Sequence, residues 1–350
     1  MTNFRNFDRV RFEPAQEGLT VVTGDNGTGK TSLLEAIGYL STQESFRGSS
    51  REALVRTHHD TAIIRGEFED TGRTTLLEAA ITPSRRDVIQ RNRQRVTRVR
   101  DLLETFRITV FSPDDLALVK GGPTERRRYL DDVLVAAQPK YAALRQNVDR
   151  ILRQRGVLLR QAGGRLSSEI SGTLDIWDHQ LAAAGSELTI ARETLVEELD
   201  PHSAEAFSRL TKLPGTLSMR YERSYAGEFA NALALSRSED LKRQSTNVGP
   251  HRDELLITFG DLDARSRLSQ GRQRAVTLAL RLASHEVVTA HSETRPLLLL
   301  DDAFSELDDQ TAAALITELP EGQSILTTAG TIPSALHPNA VRRLDRGVLV

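Results

Sequence analysis

Hydrophobic positions near the start of the chain change from a strand-like to a helix-like spacing. Gly18–Thr23 is a short β-branched run, and residues 31–40 then carry apolar side chains at helical intervals. Residues 61–68 and 74–81 have the composition of two further strands. This pattern predicts a buried strand, a loop and a helix, followed by a strand meander beside that helix.

The spacing becomes helical through the middle of the chain. It predicts a helix over 129–137, a break at Pro139, a second helix from Tyr141, and a third helix over 174–199 that ends before Pro201. We therefore expect this stretch to be an all-helical arm inserted into another domain.

Strand and helix patterns alternate again towards the end of the chain. Strands are predicted over 254–259, 297–300 and 324–328, and a long helix over 268–286. The predicted fold class is α/β: one domain split in sequence, with a covered sheet and an inserted all-helical arm. Its parts are an amino-terminal lobe over 1–118, the arm over 119–245, and a carboxyl-terminal lobe over 246–350.

Composition is that of an ordinary globular protein. Of 350 residues, 39% are hydrophobic and 27% are charged. No apolar run approaches the ~20 residues that a membrane span requires, so we expect a cytoplasmic protein without a membrane partner. The absence of cysteine excludes thiolate zinc sites, iron–sulfur clusters and cysteine nucleophiles, so a bound metal is expected to have oxygen ligands.

Positive charge is concentrated in two stretches although the net charge is only −2. Residues 85–100 hold seven arginines against one acid, Asp87, and residues 141–165 hold six against Asp149. Such local basic faces are typical of nucleic-acid binding, although a solvated surface is the commoner role of a charge run.

Gly24-Asp-Asn-Gly-Thr-Gly-Lys30-Thr31 matches the phosphate-binding pattern GxxxxGK[ST] between a predicted strand and a predicted helix. Glycines let backbone N–H groups surround a phosphate, Lys30 supplies a charge to the β and γ phosphates, and the Thr31 hydroxyl suits Mg²⁺. The segment predicts an ATP and Mg²⁺ site formed by Gly24, Asp25, Asn26, Gly27, Thr28, Gly29, Lys30, Thr31 and Ser32.

A second acidic element follows the strand at 297–300. Asp301 and Asp302 stand at its carboxyl end, where ligands of parallel sheets bind. We expect Asp301 to reach Mg²⁺ and Asp302 to orient or deprotonate the attacking water. The alternative is a buried strand whose Asp caps the next helix, and the intact phosphate loop in the same chain favours the functional interpretation.

The order of motifs resembles an ABC-type ATPase head. Leu268-Ser-Gln-Gly271 opens a strongly apolar helix ahead of the double Asp, as the LSGGQ-like segment does in that family. The resemblance implies that Ser269 and Gly271 of one protomer close on the γ-phosphate held by another. Residues between Lys30 and Asp301 are too many for a compact transporter head, and they lack the sustained heptads of a long SMC coiled coil.

Further segments narrow the resemblance to the RecF family of recombination mediators, SMC-like members of the ABC-type ATPases. Phe111-Ser-Pro-Asp-Asp-Leu116 and Val248-Gly-Pro-His-Arg-Asp253 are similar to its two signatures, and Asn3-Phe-Arg-Asn6 to its opening strand. The resemblance implies a weak DNA-dependent ATPase that dimerises on ATP at junctions of duplex and single-stranded DNA. It also implies that the protein works with RecR and RecO to load RecA at gaps.

Carried over to this chain, the resemblance makes Lys30, Ser269 and Asp302 the catalytic residues, with Thr31 and Asp301 as metal ligands. Asp302 takes a position where most ABC-type heads have Glu. Arg5 and Asn6 are expected near the adenine. Gln43 is either a Q-loop residue or part of a solvated loop, and Thr327 or Thr328 is expected in place of the usual switch histidine. The segment 249–253 either touches DNA or guides the chain between domains.

Two other function classes compete with this one. A transporter ATPase subunit normally keeps a catalytic Glu and a switch His, and both are missing here. A structural SMC-like protein would bridge DNA through a coiled coil, and the short insert argues against it.

Overall fold

The computed structural model describes residues 1–70, 72–85, 87–165, 167–305 and 307–349. Its strands are β1 Thr2–Phe4, β2 Phe7–Arg9, β3 Leu19–Thr23, β4 Ala62–Asp70, β5 Arg73–Ile81, β6 Val88–Arg91, β7 Gln94–Val96, β8 Ile108–Phe111, β9 Leu217–Glu222, β10 Glu254–Phe259, β11 Leu262–Asp263, β12 Leu297–Asp301, β13 Ser324–Thr328, β14 Ala340–Asp345 and β15 Val348–Leu349. Its helices are α1 Lys30–Thr42, α2 Arg51–Leu54, α3 Val99–Leu103, α4 Leu116–Lys120, α5 Pro123–Ala137, α6 Tyr141–Ala162, α7 Ser168–Thr211, α8 Phe229–Arg243, α9 Ala264–Arg267, α10 Gln270–Ala290 and α11 Asp309–Thr317. Within these residues, no helix combines the length and the apolar character that crossing a membrane requires.

The chain divides into two compact units. The first unit contains Met1–Asp115, Ala206–Leu213 and Thr277–Val350, and the second contains Leu116–Glu205 and Pro214–Val276. The limits 1–118, 119–245 and 246–350 stay a prediction of domain organisation, and the compact units differ from them most between 246 and 276, which falls in the second unit.

The first unit is built on two sheets. One has the order β15-β14-β3-β13-β12-β8, in which β14, β3, β13, β12 and β8 run parallel. The other is an antiparallel sheet of order β2-β1-β4-β5-β6-β7, which is the meander that the sequence predicts. Helix α1 contributes Leu33, Leu34 and Tyr39 to a core shared with side chains of both sheets.

The parallel sheet brings the carboxyl ends of β3, β12 and β13 to one edge. Every residue of β12 and β13 is buried, which explains their continuous apolar character. In the register of this sheet Asp301 pairs with Thr327, and Thr328 pairs with Thr23 just before the phosphate loop. The edge therefore collects the loop after β3 and the acidic end of β12.

The second unit is mainly helical but is not all helical. Strand β9, inside the predicted arm, pairs along its whole length with β10 in the three-stranded sheet β11-β10-β9. Leu217 and Met219 are buried on one face of β9, so its period is two. The all-helical prediction for the arm was wrong at this strand, because a six-residue strand depends on a partner that lies far away in sequence.

The helix predicted to stop before Pro201 instead continues to Thr211 as α7, with Pro201 inside it. A proline removes one backbone donor and normally breaks a helix. Here Leu199 before it and Ala206 and Phe207 after it are buried, so packing on both sides outweighs the lost hydrogen bond. The Asp200 carboxylate also accepts the backbone N–H of Met219 at 2.6 Å, which ties this turn to β9.

Candidate nucleotide site

The loop between β3 and α1 has the backbone that a phosphate loop requires. Gly27 and Gly29 have φ of 79° and 110°, in the left-handed region that favours glycine. A Cβ on Gly29 would lie 2.6 Å from Asn6 Nδ2, so the close approach of the β1–β2 turn also requires glycine there. Asn6 Nδ2 donates to the Thr28 carbonyl at 2.9 Å and holds the loop from that side.

Lys30 begins α1 and is folded back over this loop. Its Nζ donates to the carbonyl oxygens of Gly24 at 2.8 Å and Asp25 at 2.9 Å. Burial lowers the pKa of Lys30, while the charges of Asp302, Asp301 and Asp25 act in the opposite direction. The ammonium is thus held at the centre of the loop, beside the two carboxylates at the end of β12.

Asp301 is joined to α1 and to β13 by two hydroxyl groups. Its Oδ1 accepts the Thr31 hydroxyl at 2.9 Å and the Thr327 hydroxyl at 2.7 Å. Burial raises the pKa of Asp301, and these two hydrogen bonds oppose that shift. The residues fit Mg²⁺, since a carboxylate and a hydroxyl oxygen, already adjacent, are the hard ligands that this ion prefers.

Asp302 does not cap the helix that follows β12. Its backbone is left-handed, with φ of 47°, and its N–H donates to the Thr327 carbonyl at 3.0 Å. The N-cap of α11 is Asp308, whose carboxylate accepts the Thr311 N–H at 2.9 Å. Neither Asp301 nor Asp302 caps that helix, so both carboxylates remain beside the phosphate loop.

These groups open into one cavity of about 690 Å³. The predicted residues that line it are Arg5, Asn6, Asn26, Gly27, Gly29, Lys30, Thr31, Ser32, Asp301 and Asp302. Gly24, Asp25 and Thr28 are not among the lining residues, but their carbonyl oxygens hold Lys30 and Asn6. The structure therefore brings the phosphate loop, the acidic strand end and the β1–β2 turn together.

Sequence reasoning missed the remaining residues that line the cavity. These are Arg47, Glu52, Ala53, Val55 and Thr57. Arg47 lies in the loop between α1 and α2, which has no diagnostic pattern, and the other four lie in or just after the short helix α2. The position of Arg47, soon after the P-loop helix, was the only sequence feature that could have indicated its place in the cavity.

Gln43, Ser269 and Gly271 are not among the residues that line the cavity. Gln43 ends α1 with φ of 58°, and its N–H donates to the Tyr39 carbonyl. Ser269 and Gly271 are exposed at the start of α10, where Ser269 Oγ accepts the N–H of Arg272 at 3.5 Å. Their predicted roles therefore require contacts outside this cavity.

The two threonines predicted in place of a switch histidine differ in their contacts. Thr327 is fully buried and touches Asp301, whereas Thr328 Oγ1 accepts the N–H of Gly330 at 3.1 Å. Thr327 is thus the one in contact with a predicted metal ligand.

The two signature segments make internal contacts. In the first, the Asp115 carboxylate accepts the Ser112 N–H at 2.7 Å and pairs with Arg281. In the second, fully buried Asp253 accepts the Tyr221 hydroxyl at 2.8 Å and the Ser224 N–H at 2.7 Å. Asp253 is thereby assigned to the packing of the second unit, while Arg252 in the same segment is exposed.

The first arginine-rich stretch forms the β6–β7 hairpin, and Arg86 lies outside the described residues. Arg91, Arg93 and Arg95 are exposed, and the register places Arg91 and Arg95 on opposite faces. The one acidic residue of this stretch, Asp87, points inward. Its carboxylate accepts the Tyr39 hydroxyl at 2.6 Å, so it does not neutralise these arginines. The hairpin therefore presents its positive charge to solvent.

The second arginine-rich stretch forms α6 and is only partly exposed. Arg155 is fully buried and pairs with Asp178 at 2.6 Å and with Asp240 at 2.8 Å. It is unavailable to a DNA phosphate, whereas Arg150, Arg153, Arg160 and Arg165 are exposed.

Residues 1–332 match the protein family described as RecF/RecN/SMC N terminal domain. Over 345 residues the sequence is 39% identical to the DNA replication and repair protein RecF of Streptomyces avermitilis, and the match covers 94% of this chain and 91% of that protein.

Solved structures give the same picture at the level of the fold. The recombination mediator protein RecF with ATP, of the RecFOR pathway, matches with a TM-score of 0.91 and 29% identity, over 100% of this chain and 95% of that one. An Smc head bound to the C-winged helix domain of ScpA matches with a TM-score of 0.58 and 18% identity, over 99% of this chain and 93% of that one. The second likeness concerns the fold alone, and it agrees with the predicted SMC-like ATPase head.

Proposed function

Because this chain belongs to the RecF family of DNA replication and repair proteins, we propose that it is a weak DNA-dependent ATPase that dimerises on ATP and Mg²⁺. It acts where duplex DNA meets a single-stranded gap, and it assists RecO and RecR in loading RecA there. The observation that carries the proposal is the contact of 2.9 Å between Thr31 Oγ1 and Asp301 Oδ1, which joins the phosphate loop to the acidic strand end.

The residues of the cavity have separate proposed roles in nucleotide binding. The N–H groups around Gly27 and Gly29 and the Lys30 ammonium bind phosphate oxygens, and Arg5 and Asn6, which line the same cavity, are expected near the adenine. Thr31 and Asp301 would hold Mg²⁺, which when bound stabilises negative charge on the phosphate oxygens. Thr327 keeps the Asp301 carboxylate turned towards Thr31 through its hydrogen bond of 2.7 Å.

Asp302 is assigned the catalytic carboxylate. It lies in the same cavity as Lys30, and its side chain orients the water that attacks the γ-phosphate and takes its proton. Ser269 and Gly271, exposed at the start of α10, approach the γ-phosphate held by a second copy of the chain. Helix amino termini suit that contact because their unpaired N–H groups point towards an anion.

The test is the rate of ATP hydrolysis by the full chain with no DNA, with intact duplex, and with a gapped duplex. We expect the gapped duplex to stimulate hydrolysis most, and Lys30→Ala to abolish hydrolysis under all three conditions. Equal rates with and without gapped DNA would contradict the DNA-dependent part of the proposal, and a parent chain that does not bind ATP would contradict all of it.

A further inference from the structure

Glu35 is a buried carboxylate on α1 to which the proposed mechanism gives no role. Its side chain is 0% exposed, and it lies on the same helix as Lys30 and Thr31. A carboxylate buried so completely is costly unless its oxygens are paired, so its partners indicate what it does.

The first partner is Arg5 on the β1–β2 turn. Arg5 Nε donates to one Glu35 oxygen and Nη2 to the other, both at 2.7 Å. Such a bidentate pair fixes the plane of the guanidinium as well as its position. Arg5 is also fixed in its backbone, with φ of 54° and an N–H that donates to the Leu54 carbonyl at 2.8 Å.

The second partner is Ser45, in the loop between α1 and α2. Its hydroxyl donates to the Glu35 oxygen Oε1 at 2.5 Å and accepts the N–H groups of Arg47 at 3.1 Å and Ser49 at 3.2 Å. The Ser49 hydroxyl in turn accepts a hydrogen bond from Arg5 Nη2. Glu35, Arg5 and the loop 45–49 therefore form one closed network.

Two members of this network face the nucleotide cavity. Arg5 and Arg47 both line it, from the β1–β2 turn and from the loop respectively. Arg5 is neutralised by Glu35, whereas within the described part of the chain no carboxylate forms an ion pair with Arg47.

We infer that Glu35 is a positioning residue for nucleotide binding, which holds Arg5 and the loop carrying Arg47 as one preformed wall of the cavity. This inference rests on the proposed ATP site and assigns Arg47 as a second cation, beside Lys30, for the phosphates. A wall that is ordered before the nucleotide arrives lowers the entropic cost of binding.

The experiment measures binding of a non-hydrolysable ATP analogue with Mg²⁺ by calorimetry, for the full chain and its variants. Glu35→Gln keeps the volume but replaces one acceptor with a donor, so Arg5 loses its bidentate partner. We expect the Kd to rise about tenfold, the loss that one charged hydrogen bond represents. Ser45→Ala, which leaves the Arg5–Glu35 pair intact, should raise it about threefold.

A double-variant cycle separates positioning from loss of fold. If Glu35 acts through the loop, Arg47→Gln should weaken binding much less in the Glu35→Gln background than in the parent. Additive effects would overturn the inference, as would an unchanged Kd in both Glu35→Gln and Ser45→Ala.

The matched control is Glu78→Gln, which breaks the Arg65–Glu78 pair between β4 and β5, away from the cavity. Its Kd should equal that of the parent. A parent chain that fails to bind the analogue would overturn the proposed function itself, and the inference with it.

Discussion

Asp302 is the residue on which the chemistry of the proposed site depends most. It leaves β12 with φ of 47°, a left-handed conformation that Asp and Asn adopt more readily than other residues with a Cβ. An Asp side chain is one methylene shorter than the Glu usual at this position in related heads. Its carboxylate therefore stays close to its own backbone and reaches less far towards an in-line water.

We expect hydrolysis to be slow for this reason, because a displacement of ~1 Å in a catalytic group can cost ~100-fold in rate. Asp302→Asn should keep ATP binding and dimerisation but lose most turnover, whereas Asp301→Asn should disturb Mg²⁺ binding as well. Single-turnover hydrolysis and equilibrium binding of both variants beside the parent provide the measurement. Near-parental turnover in Asp302→Asn would remove it from the catalytic role.

The role proposed for Asp301 comes with a cost in stability. Burial raises its pKa in the folded chain, so the folded state binds that proton more tightly than the unfolded state does. The free energy of unfolding therefore falls as the pH rises above the pKa that Asp301 has in the unfolded chain. This loss of stability is complete once the pH exceeds the raised pKa of the folded chain.

Asp301→Asn should accordingly raise the unfolding midpoint of the nucleotide-free protein at neutral pH, by roughly 1–4 °C. The gain should shrink as the pH falls through the raised pKa, because the parent carboxylate is then protonated too. Thermal unfolding at several pH values, without nucleotide, measures both effects. A variant that is less stable than the parent at neutral pH would show that ionised Asp301 stabilises the fold.

At the scale of elements, the sequence predicted what depends on local pattern. The strands that carry the site, the P-loop helix and the acidic strand end follow from periodicity and from the motif, as in β3, α1 and β12. Strand β9 could not be predicted in the same way because its stability depends on β10, and the course of α7 past Pro201 depends on buried side chains on either side. Arg47 was missed because its place in the cavity depends on a loop held by Glu35 and Ser45.

The β6–β7 hairpin is an element that we expect to contact DNA. Its exposed arginines lack interleaved aromatic residues, so we expect contacts with phosphates and weak sequence preference. If n of them contact phosphates, log affinity should fall against log salt with a slope that includes about −0.9n.

Replacing Arg91, Arg93 and Arg95 together by Gln should flatten that slope by up to about 2.7. Replacing Arg91 or Arg95 alone tests which face of the hairpin is used, since they lie on opposite faces. The charge-matched control replaces Arg9, Arg11 and Arg73, which are exposed elsewhere in the same unit. If the hairpin variant has the parental slope, these arginines belong to a solvated surface.

At the scale of the whole molecule, the proposed function is that of a clamp rather than a motor. A protein that stays closed on DNA while partners assemble gains from a long ATP-bound lifetime, and slow hydrolysis by Asp302 would provide it. ATP binding, not hydrolysis, should drive dimerisation, because Ser269 reaches the γ-phosphate only when a second copy supplies it.

Sedimentation velocity with Mg²⁺ and a non-hydrolysable ATP analogue tests this claim most directly. The parent should sediment as a monomer without nucleotide and as a dimer with the analogue. Ser269→Arg should remain monomeric, while Ser238→Arg, an exposed serine on α8, should dimerise like the parent. A parent chain that stays monomeric with the analogue, or a Ser269→Arg chain that dimerises as tightly as the parent, would contradict the account.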